Sequence, residues 1–162
     1  MENIITSLEN LLSLHIELID KSRSKTEVIK SGDVEALKMI TSEERNFIKS
    51  INHEQKDLLN HTILFLAANE QTMENPTLRD CLAYMEKEDR EKLTNLQTLL
   101  TKQVVALKKQ NDLNQQLLEQ SLAFVQMSLD LLKPDMDTFN YERPDQQRSY
   151  EQEGRSIFDS NA

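Results

Sequence analysis

Three histidines, one cysteine and a few neighbouring glutamates are the side chains of this 162-residue sequence whose types could do chemistry. Their spacing limits what that chemistry is. His53 and His61 stand eight residues apart, beyond the i,i+4 separation that brings two imidazoles to one metal ion, and no HExxH, CxxC or EF-hand spacing occurs. No metal site is expected. In His53-Glu54-Gln55-Lys56 a lysine follows a histidine at helical i,i+3 spacing, so its ammonium could hold a phosphoryl group on the ring, but Asp57 adds negative charge beside that place. His15 falls between Leu11 and Leu18 on an apolar stripe, where a hydrogen-bonded core residue is the expectation. Glu43-Glu44 and Glu54 have the look of paired carboxylates, yet on a helix rich in Lys and Glu they read as surface charges. Cys81, the single cysteine, excludes an internal disulfide and fits a reducing compartment. With no glycine-rich phosphate loop either, no catalytic residue and no cofactor is predicted.

The chemistry that remains is binding. From about Lys92 to Leu132 no Gly or Pro interrupts a helical pattern, and a 3-4 spacing collects Leu93, Leu96, Leu100, Leu107, Asn111, Asn114, Leu118, Ser121, Val125, Ser128 and Leu132, with Gln103 the weakest member. A second stripe, made by Leu113, Leu117, Phe124 and Leu131, lies on another face, and Leu122, Met127 and Leu129 fill the angles between them. A helix apolar on more than one face is either fully buried or keeps one face for a partner. A chain this short has few helices with which to wrap it, which points to a binding surface.

The elements that must carry this helix are helical too. Two glycines, three prolines, no Trp and abundant Leu, Glu, Lys and Gln predict an all-α fold. A first helix from Asn3 to about Ser31 repeats Ile4, Ile5, Leu8, Leu11, Leu12, Leu18, Ile19 and Ile29, and Gly32 ends it. Asp33 is a candidate cap for a second helix of about 40 residues, carrying Val34, Leu37, Ile40, Phe47, Ile51, Leu58, Ile63 and Leu66 as far as Asn75-Pro76. Thr77-Leu78-Arg79-Asp80 fits a capping box for a third, short helix, and the charged run from Glu86 to Lys92 offers a bend before the long one. The expected architecture is an elongated antiparallel helical hairpin or coiled-coil bundle of three to four helices over residues 1–133, with a flexible, disordered tail over 134–162. That tail has no sustained period, yet carries Phe139, Tyr141, Tyr150 and Phe158 as candidate anchors.

The formal charge of -9, from 28 acidic against 19 basic residues, argues against nucleic acid or an anionic membrane surface as partner. No apolar run reaches the roughly 18 to 20 residues of a membrane span. Glu2 and Glu9 stand where a secretory signal would be basic, so a cytoplasmic protein is expected.

The segments LHIELIDKSRSKTEVIKSGDVEALKMITSEERNFI, TLRDCLAYMEKEDREKLTNLQTLL and NDLNQQLLEQSLAFVQMSLDLL, in this order, resemble the FlgN family of flagellar export chaperones. The pieces that carry the likeness are LHxxLI from Leu14, the GDVEAL turn through Gly32-Asp33, Glu43-Glu44, and Asn114-x-x-Leu117-Leu118-x-x-Ser121-Leu122-x-Phe124-Val125, with Tyr150-x-x-x-Gly154 in the tail. The resemblance implies a cytoplasmic protein that keeps the hook-associated proteins FlgK and FlgL soluble and competent for export. It also implies that the C-terminal helix captures an amphipathic C-terminal segment of the client, a helix-in-groove mode. The client-binding candidates are then Asn114, Leu117, Leu118, Ser121, Leu122, Phe124, Val125, Leu129 and Leu132, with Asn111 and Asn114 setting register as polar seam residues do. In the free protein the tail's Phe139, Tyr141 and Phe158 are candidates to cover the stripe, or the tail is a docking tag for the export apparatus. Two alternatives stand beside this reading: a four-helix bundle like the histidine phosphotransfer domains, phosphorylated on His53, and a coiled-coil structural protein that self-associates through the same seam.

Overall fold

Gly32 sets the first turn of the chain. It adopts φ 70°, ψ 17°, the left-handed conformation that closes a helix C-terminus, and its N–H donates to the Ile29 carbonyl. Helix α1 (Glu2–Ser31) therefore stops there. Asp33 follows in extended conformation and its carboxylate accepts the Ala36 N–H at 2.9 Å, capping helix α2 (Val34–Ala68) as its sequence predicts. The structure, a computed structural model, describes residues 1–132. The expected tail from Pro134 on, with Phe139, Tyr141, Tyr150 and Phe158, lies outside the described residues.

Helix α2 ends earlier than the proline at position 76 suggests. Asn69 donates its side-chain amide back to the Phe65 carbonyl, Glu70 takes a left-handed φ of 58°, and the Gln71 N–H returns to Leu66. These bonds satisfy the last carbonyls of the helix without a glycine. Thr77 and Asp80 then form the expected capping box, the Asp80 carboxylate accepting the Thr77 N–H at 2.8 Å and its hydroxyl at 2.7 Å, for the one-turn helix α3 (Leu78–Cys81). A 3₁₀ turn, Leu82–Tyr84, extends it. The charged run is not a bend. Helix α4 (Lys87–Leu132) begins inside it, because Glu88 and Asp89 sit in a first turn where the helix dipole favours acids.

The chain divides into two units, Met1–Phe124 and Val125–Ala162. The first is a long, narrow all-helical bundle, and no strand occurs among the described residues. Within it α2 returns antiparallel to α1, as the ion pairs Lys21–Glu43 and Lys25–Glu44, both 2.7 Å, and the Ser7–His61 contact of 3.2 Å show. Helix α4 instead runs along α1 in the same direction. Lys92 pairs with Glu9 at 2.9 Å, Asn111 with Ser22 and Asn114 with Thr26. The core is apolar where α1 begins and α4 begins, with Ile4, Ile5, Leu8, Leu66, Cys81, Met85, Leu93 and Leu96 buried together. Leu11, Leu18 and Ile51 continue it, with Phe47, Leu100 and Leu107 packed against them.

Candidate functional site

The α4 seam is covered from Leu93 to Asn114 and exposed beyond. Leu93 and Leu96 are buried, Leu100 and Leu107 half-buried, and the last buried member is Asn114, 3 % exposed. Here the packing changes from apolar to polar. Gln110 donates to the Thr26 hydroxyl at 2.7 Å, Thr26 to the Asn114 side-chain carbonyl at 2.6 Å, Asn114 to the Ser22 hydroxyl at 3.1 Å, and Ser22 to Asn111 at 2.9 Å. Asn114 also donates to the Ser22 backbone carbonyl at 2.8 Å. Each hydroxyl in this chain accepts from an amide and donates onward, the Thr26 hydroxyl lying also 3.3 Å from the Ser22 backbone carbonyl, so the bonds polarise one another in a single direction. Among the described residues no buried side-chain nitrogen or oxygen lacks a partner. Such a layer favours one register, since sliding α4 by one turn would separate most of these donors from their acceptors.

Past this layer α1 has five residues left, ending at Ser31, whereas α4 continues ten residues to the end of the first unit at Phe124. Those ten residues rise about 15 Å along the helix axis. Among their apolar side chains Leu117 is half-buried, Leu118 38 % exposed, Leu122 59 % and Phe124 65 %. Ser121 is exposed and its hydroxyl donates to the Leu117 carbonyl. In the second unit Val125, Leu129 and Leu132 are exposed as well. Of the nine residues singled out from the sequence, Asn114 alone is buried, its amide engaged by α1, and the other eight are half-buried or exposed.

The residues with chemical potential elsewhere are held in structural bonds. His15 is buried and its Nδ1 lies 2.7 Å from the Leu11 carbonyl, the hydrogen-bonded core position its stripe predicts. His53 is exposed on α2 with Nε2 3.4 Å from the Asp57 carboxylate, so an acid occupies the place a phosphoryl group would need. Cys81 is fully buried, and burial, with Asp80 adding to it, pushes its thiol up from the ordinary value, away from thiolate reactivity. An open crevice of about 590 Å³ between α2 and α4 is floored by Leu8 and Leu11 and rimmed by Gln55, Gln97, Thr98 and Thr101, with no titratable side chain in its lining. Among the described residues no three His, Cys, Asp or Glu side chains gather in a metal-sized cluster.

Two readings from the sequence need correction. Glu43 and Glu44 are not idle surface charges: they pair with Lys21 and Lys25, and Glu44 is buried to 9 % exposure, joining α2 to α1. Ser22 and Thr26 were missed as seam residues. Their signal was present, because they continue the spacing of Leu11, His15 and Leu18 toward Ile29, opposite the asparagine interruptions of α4.

The sequence profile of the family described as FlgN protein matches residues 1–149. The chain belongs to the FlgN family. It is also 32 % identical over 159 residues to the uncharacterized protein YvyG of Bacillus subtilis (strain 168), covering 98 % of this chain and 97 % of that one. No solved structure matches. FlgN proteins are flagellar export chaperones, and the role in flagellum biogenesis comes with the family. The segments that resemble the family in sequence acquire physical content here: Gly32-Asp33 makes the hairpin turn, Glu43-Glu44 bolts α2 to α1, and Asn114 ends the α1–α4 seam immediately before the exposed stripe. No helix among the described residues is long and apolar enough to cross a membrane.

Proposed function

We propose that this FlgN-family protein acts in the cytoplasm, where it holds the C-terminal amphipathic helix of the hook-associated proteins FlgK and FlgL on the stripe of α4. That binding prevents premature assembly and delivers the clients to the flagellar export apparatus. The observation that carries this reading is the α4 seam, which is packed by α1 up to Asn114 and open at Leu118 and Leu122. Leu117, Leu118, Leu122 and Phe124 are the proposed anchors in the first unit. Ser121 lies among them, and Asn114 sets the register from which they start. Val125, Leu129 and Leu132, exposed in the second unit, are proposed as a separate stripe. Covering an aliphatic side chain contributes about 1.5–3 kcal/mol, so three or four together support roughly micromolar binding after ordering costs.

The test is co-purification with FlgK and FlgL of the same organism, whole and lacking their C-terminal segments, followed by sizing. The expected result is a soluble complex that needs those segments and is lost in Leu122→Asp, a substitution at an exposed helix position that leaves helicity unchanged. A complex that forms equally well without the segments would sink the binding mode. The 4-3-4-3 spacing of Leu118, Leu122, Val125, Leu129 and Leu132 also suits pairing with a second copy, and a discrete homo-oligomer with no client binding would favour that reading instead.

A further inference from the structure

The crevice between α2 and α4 has α1 for its floor, where Leu8 and Leu11 are buried, and the half-buried Leu58 and Leu100 on its walls. Its α4 rim is apolar as well. Thr94, Thr98 and Thr101 donate their hydroxyls to carbonyls four residues back at 2.8, 2.9 and 2.8 Å, which leaves their methyl groups for the crevice. Seven residues on from Gln97 and seven back from Gln55, the two edges carry Val104 and Ile48, 45 % and 48 % exposed. A floor and two walls from three helices leave the position that a fourth helix takes in a bundle.

The banks of this groove are basic, in a chain whose formal charge is -9. Lysines elsewhere in the first unit, such as Lys21, Lys25 and Lys92, reach a carboxylate. Arg45, Lys49 and Lys56 of α2 and Lys102, Lys108 and Lys109 of α4 are exposed and reach none among the described residues. Lys49 and Lys56 follow Ile48 and Gln55 on the outer side of one edge, and Lys108 lies two turns on from Thr101 along the other. The pairs Lys21–Glu43 and Ser22–Asn111 bring Arg45 level with about Lys108 across the gap. The nearest acids on the α4 bank are Glu91, which pairs with Lys87, and Asp112, one turn beyond Lys108.

We propose that this groove docks an amphipathic helix of a partner protein whose apolar face is flanked on both sides by Glu and Asp. Charge complementarity selects that occupant. The leucine floor and the threonine methyls take its apolar face, and the unpaired cations of the two banks take the acids along its edges. Two copies of this chain meeting groove to groove would oppose like charges, which argues against a dimer contact here. The groove shares no residue with the stripe proposed for the client, so it is a second docking surface of the first unit.

The probe is a fluorescently labelled model helix of about 18 residues, with leucine along one face and glutamate on both flanks, and a twin that carries lysine in place of glutamate. Titrated with the full chain, the glutamate helix should bind about tenfold more tightly than its twin, against the net charge of the chain, and should weaken as salt is raised. Arg45→Glu combined with Lys108→Glu should lower its affinity about tenfold. Arg23→Glu combined with Lys30→Glu makes the same change in net charge at exposed positions of α1, and Leu122→Asp disables the client stripe; both should leave the affinity within about twofold. All these positions are exposed, so the variants fold. Equal binding of the two helices, or a glutamate helix that ignores the Arg45 and Lys108 reversals, would overturn the proposal. Loss of binding in Leu122→Asp would move the helix to the client stripe and overturn it too. Displacement of the probe by a peptide of residues 134–162 would give the groove to a segment of this chain, and a dimer dissolved by the two reversals would give it to a second copy. Either result would remove the partner.

Discussion

The two ends of the first unit are held together by different physics. Where α1 and α4 begin, Ile4, Ile5, Leu8, Leu66, Cys81, Met85, Leu93 and Leu96 exclude water from a wholly apolar cluster. At the turn end the same two helices are joined by Ser22, Thr26, Gln110, Asn111 and Asn114, with Lys25–Glu44 tying α2 to α1 at that level. Apolar burial is strong and indifferent to register, whereas a complete hydrogen-bond chain adds modest net stability and tolerates one arrangement. One end therefore supplies stability, and the other decides where α4 stops being covered. The proposed binding stripe, from Leu117 on, depends on that decision.

The largest break in this contrast comes from the apolar end. Leu93 is fully buried, so Leu93→Ala removes transfer energy and leaves a cavity, at a cost of about 2–5 kcal/mol. Urea denaturation should show a lower midpoint with an unchanged slope, and the α1–α4 register should remain that of the wild type. A loss below about 1 kcal/mol would mean that the helices are not held by this cluster.

The polar end should respond less in stability and more in geometry. Asn114→Ala removes the donor to the Ser22 carbonyl and the acceptor for Thr26, and a loss of about 1–3 kcal/mol is expected. Replacing the buried members together, with Ser22→Ala, Thr26→Val and Asn114→Leu, removes both partners of each fully buried bond, leaves only half-buried Gln110 and exposed Asn111 to turn to water, and should restore most of that stability. The register should then become heterogeneous, as read by distances between spin labels on exposed positions of α1 and α4. A single sharp distance in the triple variant would refute the register role.

How much of this was legible beforehand follows the same division. Local signals carried far: Gly32-Asp33 and Thr77-Asp80 specify their caps through chemistry contained within four residues, and the helical spacing of α1 and α4 is written along each helix. The early end of α2 was not, because Asn69 and Glu70 stop the helix by a left-handed turn that no glycine announces. Pairwise facts were hidden as well. Glu44 looks like any surface glutamate until Lys25, 19 residues earlier, is brought across from α1. The exposed stripe was visible as surplus hydrophobicity on one helix, but which residues are covered depends on where α1 ends relative to α4. That is a property of two helices in register and of neither sequence alone.

The smallest expected effect lies beside the apolar end, where α3 delivers Cys81 and the turn after it delivers Met85 to the cluster. Asp80 is half-buried, and the Thr77 hydroxyl and N–H bonds, with Arg79 nearby, hold its carboxyl below the ordinary carboxylate range. A carboxyl whose pKa is lowered by folding stabilises the fold above its unfolded value, and that contribution disappears as pH falls through the folded one. Asp80→Asn keeps an oxygen for the Thr77 N–H and removes the charge. The wild type should therefore unfold at a slightly higher temperature than this variant at pH 7, and the gap should close as the pH falls below the ordinary carboxylate value and through the folded one. Since both chains share every other carboxylate, acid destabilisation common to them cancels in the difference. A gap that persists unchanged at low pH would show that the cap works through hydrogen-bond geometry and not through its charge.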